Sequence, residues 1–206
     1  MPDQQLRSAF EPVTFMGLNL RNRFIRSATM EGMVSPDGIP GAELEGLYQN
    51  IAKGGVGLIS TSSCLPDPDW SVGSQRQLML YDGADLSTWK EFTQAIHDHG
   101  ALISVQMAPF MHMGDHWVGP SEYRPGVHAL TPDEIDLIVS LYARMAALAR
   151  RVGFDAVQVH AGHGYGLSQF LSPYFNRRDD AYGGSVENRA RILVQIRKAI
   201  SKNTGD

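Results

Sequence analysis

TPDEIDLIVSLYARMAALARRVGFDAVQVHAGHGY, residues 131–165, holds one complete helix-to-strand unit. Thr131 can cap a first turn, Pro132 takes the first helical position, and Glu134, three residues past Thr131, completes a capping box. Ile135, Ile138, Tyr142, Met145, Ala149 and Val152 recur at alternating steps of three and four, so one helix face is apolar. Gly153 closes the helix, and Ala156 to His160 reads as a strand. That strand ends in an imidazole. His163 and Tyr165 follow within a glycine-rich turn.

Working outward, the same unit recurs. Val13 to Leu20 alternates around a glycine and predicts an entrance hairpin. Phe24–Ser27 predicts a short strand, 42–52 a helix, and Val56–Ser60 a second strand. After a Pro-, Asp- and Ser-rich loop, Trp89, Phe92 and Ile96 share one face of a helix over about 87–99. Leu102–Met107 is a third strand, Ala156–His160 a fourth, and a last helix runs over about 185–201 with Ile192, Ile196 and Ala199 inward. Strand and helix alternate about four times, which implies a parallel sheet. Alternation alone fits a doubly wound sheet or part of a (β/α)8 barrel. Barrels typically need about 250 residues, so 206 residues predict a partial barrel of about four βα units in one domain, residues 1–206. Two of its strand edges are expected to lack partners.

Bulk properties narrow the function. A net charge of −4 argues against nucleic acid or an anionic membrane as the main partner. No apolar run approaches the roughly 20 residues of a spanning helix, and Met1 to Phe10 has no signal-peptide core. The single cysteine, Cys64, excludes a disulfide framework or a Cys-built metal site within these residues. A cytoplasmic protein acting on a small molecule is the expectation.

In parallel α/β folds, sites lie at the C-terminal ends of the strands. Thr29 and Met30 follow the first strand, Ser62 and Ser63 the second, Gln106 ends the third, and His160, His163 and Tyr165 follow the fourth. Two imidazoles and a phenol at one strand end suit gripping an electron-rich oxygen and moving a proton. The segment 161–184 after them is long enough to expect function of it.

Leu20–Thr29 resembles the first-strand motif of the old yellow enzyme family of flavin-dependent ene-reductases. Gly153–Tyr165 resembles that family's central His motif, continued by Gln169–Pro173, Asn176–Arg178, Asp180, Tyr182–Ser185, Glu187–Arg189 and Arg191. The resemblance implies a (β/α)8 barrel that holds FMN, with NADH or NADPH as reductant and an activated C=C as hydride acceptor. It implies that His160 and His163 bind the substrate's carbonyl or nitro oxygen and that Tyr165 donates the proton. It places Ala28, Thr29, Met30, Ser63, Gln106 and His160 at the flavin. The sequence departs from the family pattern where Met107-Ala108-Pro109 follows Gln106, where Asp115 follows His112-Met113-Gly114, and at Met30.

Other readings stand beside this one. The chain is alternatively a non-catalytic half-barrel lacking the FMN phosphate site, a homo-oligomer or partner of a missing C-terminal half, or a flavin-free lyase or isomerase. His160-x-x-His163 or His112-x-x-x-His116 could ligate zinc, though no third ligand is evident. Gly162-x-Gly164-x-Gly166 superficially resembles a dinucleotide fingerprint, but the loop with Pro173 argues against the helix that must open there. His97 and His99 read as a solvated pair at a helix end. Arg177 and Arg178 suit either a phosphate or the tethering of their own loop. Cys64 reads as buried, and Met107, Met111 and Met113 as pocket lining or core.

Overall fold

The structure, a computed structural model, describes residues 8–70 and 76–205. Residues 71–75 of the Pro-, Asp- and Ser-rich loop lie outside the described residues, as does most of the Met1–Phe10 stretch. The entrance hairpin forms as β1 (Val13–Phe15) and β2 (Leu18–Leu20), antiparallel about Met16 and Gly17. Both turn residues have positive φ, 48° and 82°, which matches the twist of a two-residue hairpin.

The main sheet is parallel: β10 (Ala156–Val159), β6 (Leu102–Met107), β4 (Leu58–Leu65), β3 (Ile25–Arg26), in that order. A short β5 (Leu78–Met79) extends the β4 edge at Cys64 and Leu65. Each main strand leads to a helix: α1 (Ala42–Lys53), α2 (Leu86–His97), α3 (Pro132–Arg151) and α5 (Val186–Thr204). Four βα units and a partial barrel are therefore present. Among the described residues, β3 and β10 each pair on one side only.

The helices cover one face of the sheet. Ile103, Val105 and Met107 are fully buried there, with Trp89, Phe92, Tyr48 and Tyr142 from the helices. Trp89 meets Phe92 edge-on at 6.2 Å and 88°, and Phe92 meets Tyr48 at 5.4 Å. Burying such a side chain contributes about 1.5–3 kcal/mol, so this layer holds the sheet. The α3 stripe, Ile135 to Val152, is buried as its spacing requires, and the capping box forms. On α5, Ile192 and Ile196 are buried and Ala199 half-buried.

Three features differ from expectation. Strand β4 does not stop at Ser60 but runs to Leu65, so Ser62 and Ser63 lie within it. Residues 112–129, to which the sequence pattern assigns no element, form a three-stranded sheet: β7 (His112–Met113), β8 (His116–Gly119) and β9 (Val127–Ala129). The segment 161–184 contains a short helix, α4 (Gly166–Leu171). A helix does open at Gly166, so the ground given for rejecting a dinucleotide fingerprint fails. The spacing Gly-x-Gly-x-Gly still differs from Gly-x-Gly-x-x-Gly.

Candidate functional site

The inner face of the sheet carries an apolar row, Ile25, Leu58 and Leu102, and polar rows nearer the C-terminal ends of the strands. Registered neighbours across parallel strands share a face, and here Ser60 lies beside Ser104, and Ser63, Gln106 and Gln158 form a second row. Gln158 Oε1 accepts from Ser60 Oγ and from Gln106 Nε2, both at 3.0 Å. A bulge between Ser60 and Ser63 brings Ser63 level with Gln106. Thr61 Oγ1 accepts from the Gln106 backbone N–H at 3.2 Å, and the Tyr48 hydroxyl accepts from the Ser62 N–H at 3.1 Å. Arg26 donates to that hydroxyl at 2.9 Å and to the Ser60 carbonyl at 2.8 Å, while pairing with Glu31. The bulge is thus clamped from behind by α1 and by the residues after β3. Burial, opposed in part by Arg26, pushes the Tyr48 phenol well above its ordinary range.

Beyond β10 the chain turns sharply. His163 has a φ of 62°, uncommon for a non-glycine residue, and the glycines on either side ease the turn. This strain brings its Nδ1 within 3.1 Å of His160 Nε2. The Tyr165 ring lies 5.5 Å from the His160 ring. Burial, with a smaller contribution from His163, lowers the His160 pKa, which favours the neutral imidazole. Tyr165 is followed by Gly166, whose N–H donates to the Phe110 carbonyl at 3.1 Å. Gln169 donates to the Gly164 carbonyl at 2.8 Å, and Ser168 Oγ accepts from the Gly164 N–H at 3.1 Å. Helix α4 therefore anchors the histidine turn.

Ala28, Thr29, Met30, Ser63, Gln106, His160, His163 and Tyr165 all line one cavity of about 480 Å³. The residues expected at the flavin and the substrate thus share one cavity, whereas Ser62, named at the same strand end as Ser63, is buried and does not line it. Met111, read as pocket lining or core, also lines it; Leu65, Trp70, Gln77, Pro109 and Trp117 complete the lining and were not anticipated. Trp117 and Met111 come from the region of the small sheet, whose two- to four-residue strands carry too little alternation to be read. None of the described lining residues is lysine or arginine.

The remaining candidates resolve as follows. Arg178 tethers its own loop: it pairs with Asp180 and donates to the carbonyls of Pro120 at 2.8 Å and Leu130 at 2.5 Å. Arg177 donates to the Tyr174 carbonyl at 3.2 Å. His97, read as solvated, is partly exposed and also bonds Asp155 at 2.8 Å. Cys64 is buried, which raises its thiol pKa. The methionines divide: Met107 is core, Met111 lines the cavity and Met113 packs on the core. Among the described residues no three His, Cys, Asp or Glu side chains group as metal ligands, and no helix is long and apolar enough to cross a membrane.

A partial parallel barrel with polar side chains, two imidazoles and a phenol gathered at its strand ends has its cavity where α/β barrels carry their sites. Residues 8–206 match the family model of NADH:flavin oxidoreductase / NADH oxidase, and the chain belongs to that family. It is 34% identical over 209 residues to 4,4'-dithiodibutanoate disulfide reductase of Rhodococcus erythropolis, covering 96% of this chain and 51% of that protein. Among solved structures it is similar to Old Yellow Enzyme from Pichia sp. AKU4542, with TM-score 0.88 and 26% identity over 96% of this chain and 57% of that one. Morphinone reductase in complex with tetrahydroNAD is 30% identical at TM-score 0.83, over 96% of this chain and 61% of that one. The chain spans about half the length of the curated relatives it matches.

Proposed function

We propose that the chain provides the oxygen-binding and proton-donating part of an FMN-dependent oxidoreductase that uses NADH or NADPH to reduce an activated C=C bond, as in an enone, enal or nitroalkene. The observation that carries this is the convergence of His160, His163, Tyr165 and Gln106 on one cavity, with the two imidazoles adjacent at 3.1 Å. Relatives named for disulfide, morphinone and cinnamate reduction differ in substrate, so the substrate reading rests on these side chains.

The site fits the ring system of FMN. Gln106 gives one amide hydrogen to Gln158, and its Oε1 makes no hydrogen bond among the described residues. That oxygen, with Thr29 and Ser63, offers the mixed donors and acceptors that the pyrimidine edge of a flavin requires. Ala28 and Met30 would lie along the ring, and His160 would reach it from the β10 end. FMN, when bound, supplies the hydride transfer that no side chain can. His160 and His163 orient the substrate by its oxygen and stabilise the negative charge that develops there. Tyr165 gives its phenolic proton to the α-carbon.

The absence of lysine and arginine from the cavity favours a second reading, a half-barrel that needs a further segment or chain for the FMN phosphate. Flavin titration separates the two. The primary reading expects a yellow 1:1 complex that bleaches anaerobically on addition of NADH or NADPH. A chain that stays colourless after saturation with FMN and removal of the free flavin refutes cofactor binding by these residues alone. A yellow chain that NAD(P)H cannot bleach refutes the reductase reading.

A further inference from the structure

We infer that Trp117 is a specificity-determining residue, the wall on which the aryl group of a planar conjugated substrate rests while His160 and His163 hold its oxygen. This rests on the function proposed above and adds to it the part of the substrate away from the reacting bond.

The cavity lining divides by origin. Ala28, Thr29, Ser63 and Gln106 come from strand ends and bring hydroxyl, amide and small groups. Trp117 comes from β8 of the small sheet and brings a broad aromatic surface. It is 36% exposed, unusually open for an indole in a molecule whose other two tryptophans are 0% and 3% exposed. The exposure is not slackness. Trp117 is registered directly across from His112 on β7, with ring centroids 4.0 Å apart, and the Arg124 guanidinium lies 5.1 Å from the indole centroid. His112 Nε2 is buried without a hydrogen-bond partner, and burial lowers the pKa of this ring, so it packs as a neutral aromatic group. The indole is therefore held by its neighbours, and it also lines the cavity.

A preset aromatic surface binds a flat ring at small entropic cost, and ring pairs gain beyond their buried area. Met111 beside it adds an adaptable thioether suited to a varied ring outline. A β-aryl nitroalkene or enone has the required shape: an oxygen for the imidazoles and a coplanar ring for Trp117.

The test compares trans-β-nitrostyrene with 1-nitropropene, which carries methyl in place of phenyl. Dissociation constants are measured by equilibrium dialysis with FMN present, for the wild type, Trp117→Ala and Trp117→Phe, and FMN affinity is measured in the same samples. The aryl-over-alkyl preference should fall about tenfold in Trp117→Ala and stay within about twofold in Trp117→Phe. An unchanged preference in Trp117→Ala overturns the inference. So does a loss of FMN affinity with the preference intact, which would assign Trp117 to the cofactor, and so does a wild type that binds neither probe. If the preference falls as stated but the wild type turns over neither compound, the proposed reaction fails and the role of Trp117 stands.

Discussion

Replacing Gly166 by alanine tests whether α4 holds the Tyr165 turn in place. A Cβ at this position would lie 2.3 Å from the Phe110 carbonyl oxygen and 2.5 and 2.6 Å from two carbons of its ring. The oxygen belongs to the backbone just past β6, and the ring is fully buried, so neither can yield cheaply. Overpacking of this kind costs about 1–3 kcal/mol. The hydrogen bond from Gly166 to Phe110 would go with it, at about 1 kcal/mol. The sum, about 2–4 kcal/mol, corresponds to a melting-temperature drop of about 4–16 °C for a chain of this size. Gly162→Ala is the control, because nothing lies within 4 Å of its Cβ and its φ is not positive. It should change stability by less than about 0.5 kcal/mol. Thermal unfolding of both variants, followed by binding of 4-hydroxybenzaldehyde, gives the answer. A Gly166→Ala variant with wild-type melting temperature and ligand affinity would refute the claim that this contact fixes the loop.

Three further outcomes are expected. His160→Ala should weaken phenolic-ligand binding about 10- to 100-fold, the loss of one hydrogen bond to a charged oxygen, whereas Tyr165→Phe should lower kcat about 10²- to 10⁴-fold with ligand affinity retained; equal effects of both on affinity would contradict the division of roles. His112 and His160 both have pKa values depressed below 6.5 by burial, so the unfolded chain binds protons more readily. Their stabilising contribution is complete above pH 6.5 and is lost as pH falls through the lower folded values; melting temperature should drop on acidification below 6.5, and His112→Phe should flatten the drop. Arg178→Ala should cost about 2–4 kcal/mol in urea unfolding, since it leaves two carbonyls and Asp180 without their charged donor; a loss below 0.5 kcal/mol would show the loop to be tethered elsewhere.

The sequence exposes some of these elements better than others, for physical reasons. Helix α3 is legible because its cap, its first-position proline and its apolar stripe all state the same element. Strand β6 is legible to the residue for its run of buried side chains. Strand β4 is cut short in a sequence reading because its bulge breaks the alternation at Ser60-Thr61-Ser62-Ser63, leaving four small polar residues that look like loop. Helix α4 hides because it starts on a glycine and its six residues are too few to repeat the spacing of Leu167, Phe170 and Leu171. The eight expected cavity residues could be named because strand-end position and motif coincide. Trp117 could not be, since its approach to the cavity depends on β8 pairing with both β7 and β9, contacts that no local pattern encodes.

The amide and hydroxyl rows on the inner face of the sheet bear on what can settle against them. Gln158 stands exposed there, linked to Gln106 and Ser60, while Ile25, Leu58 and Leu102 form an apolar row toward the other end of the strands. A group that docks on the polar rows has to match hydrogen bonds rather than merely exclude solvent.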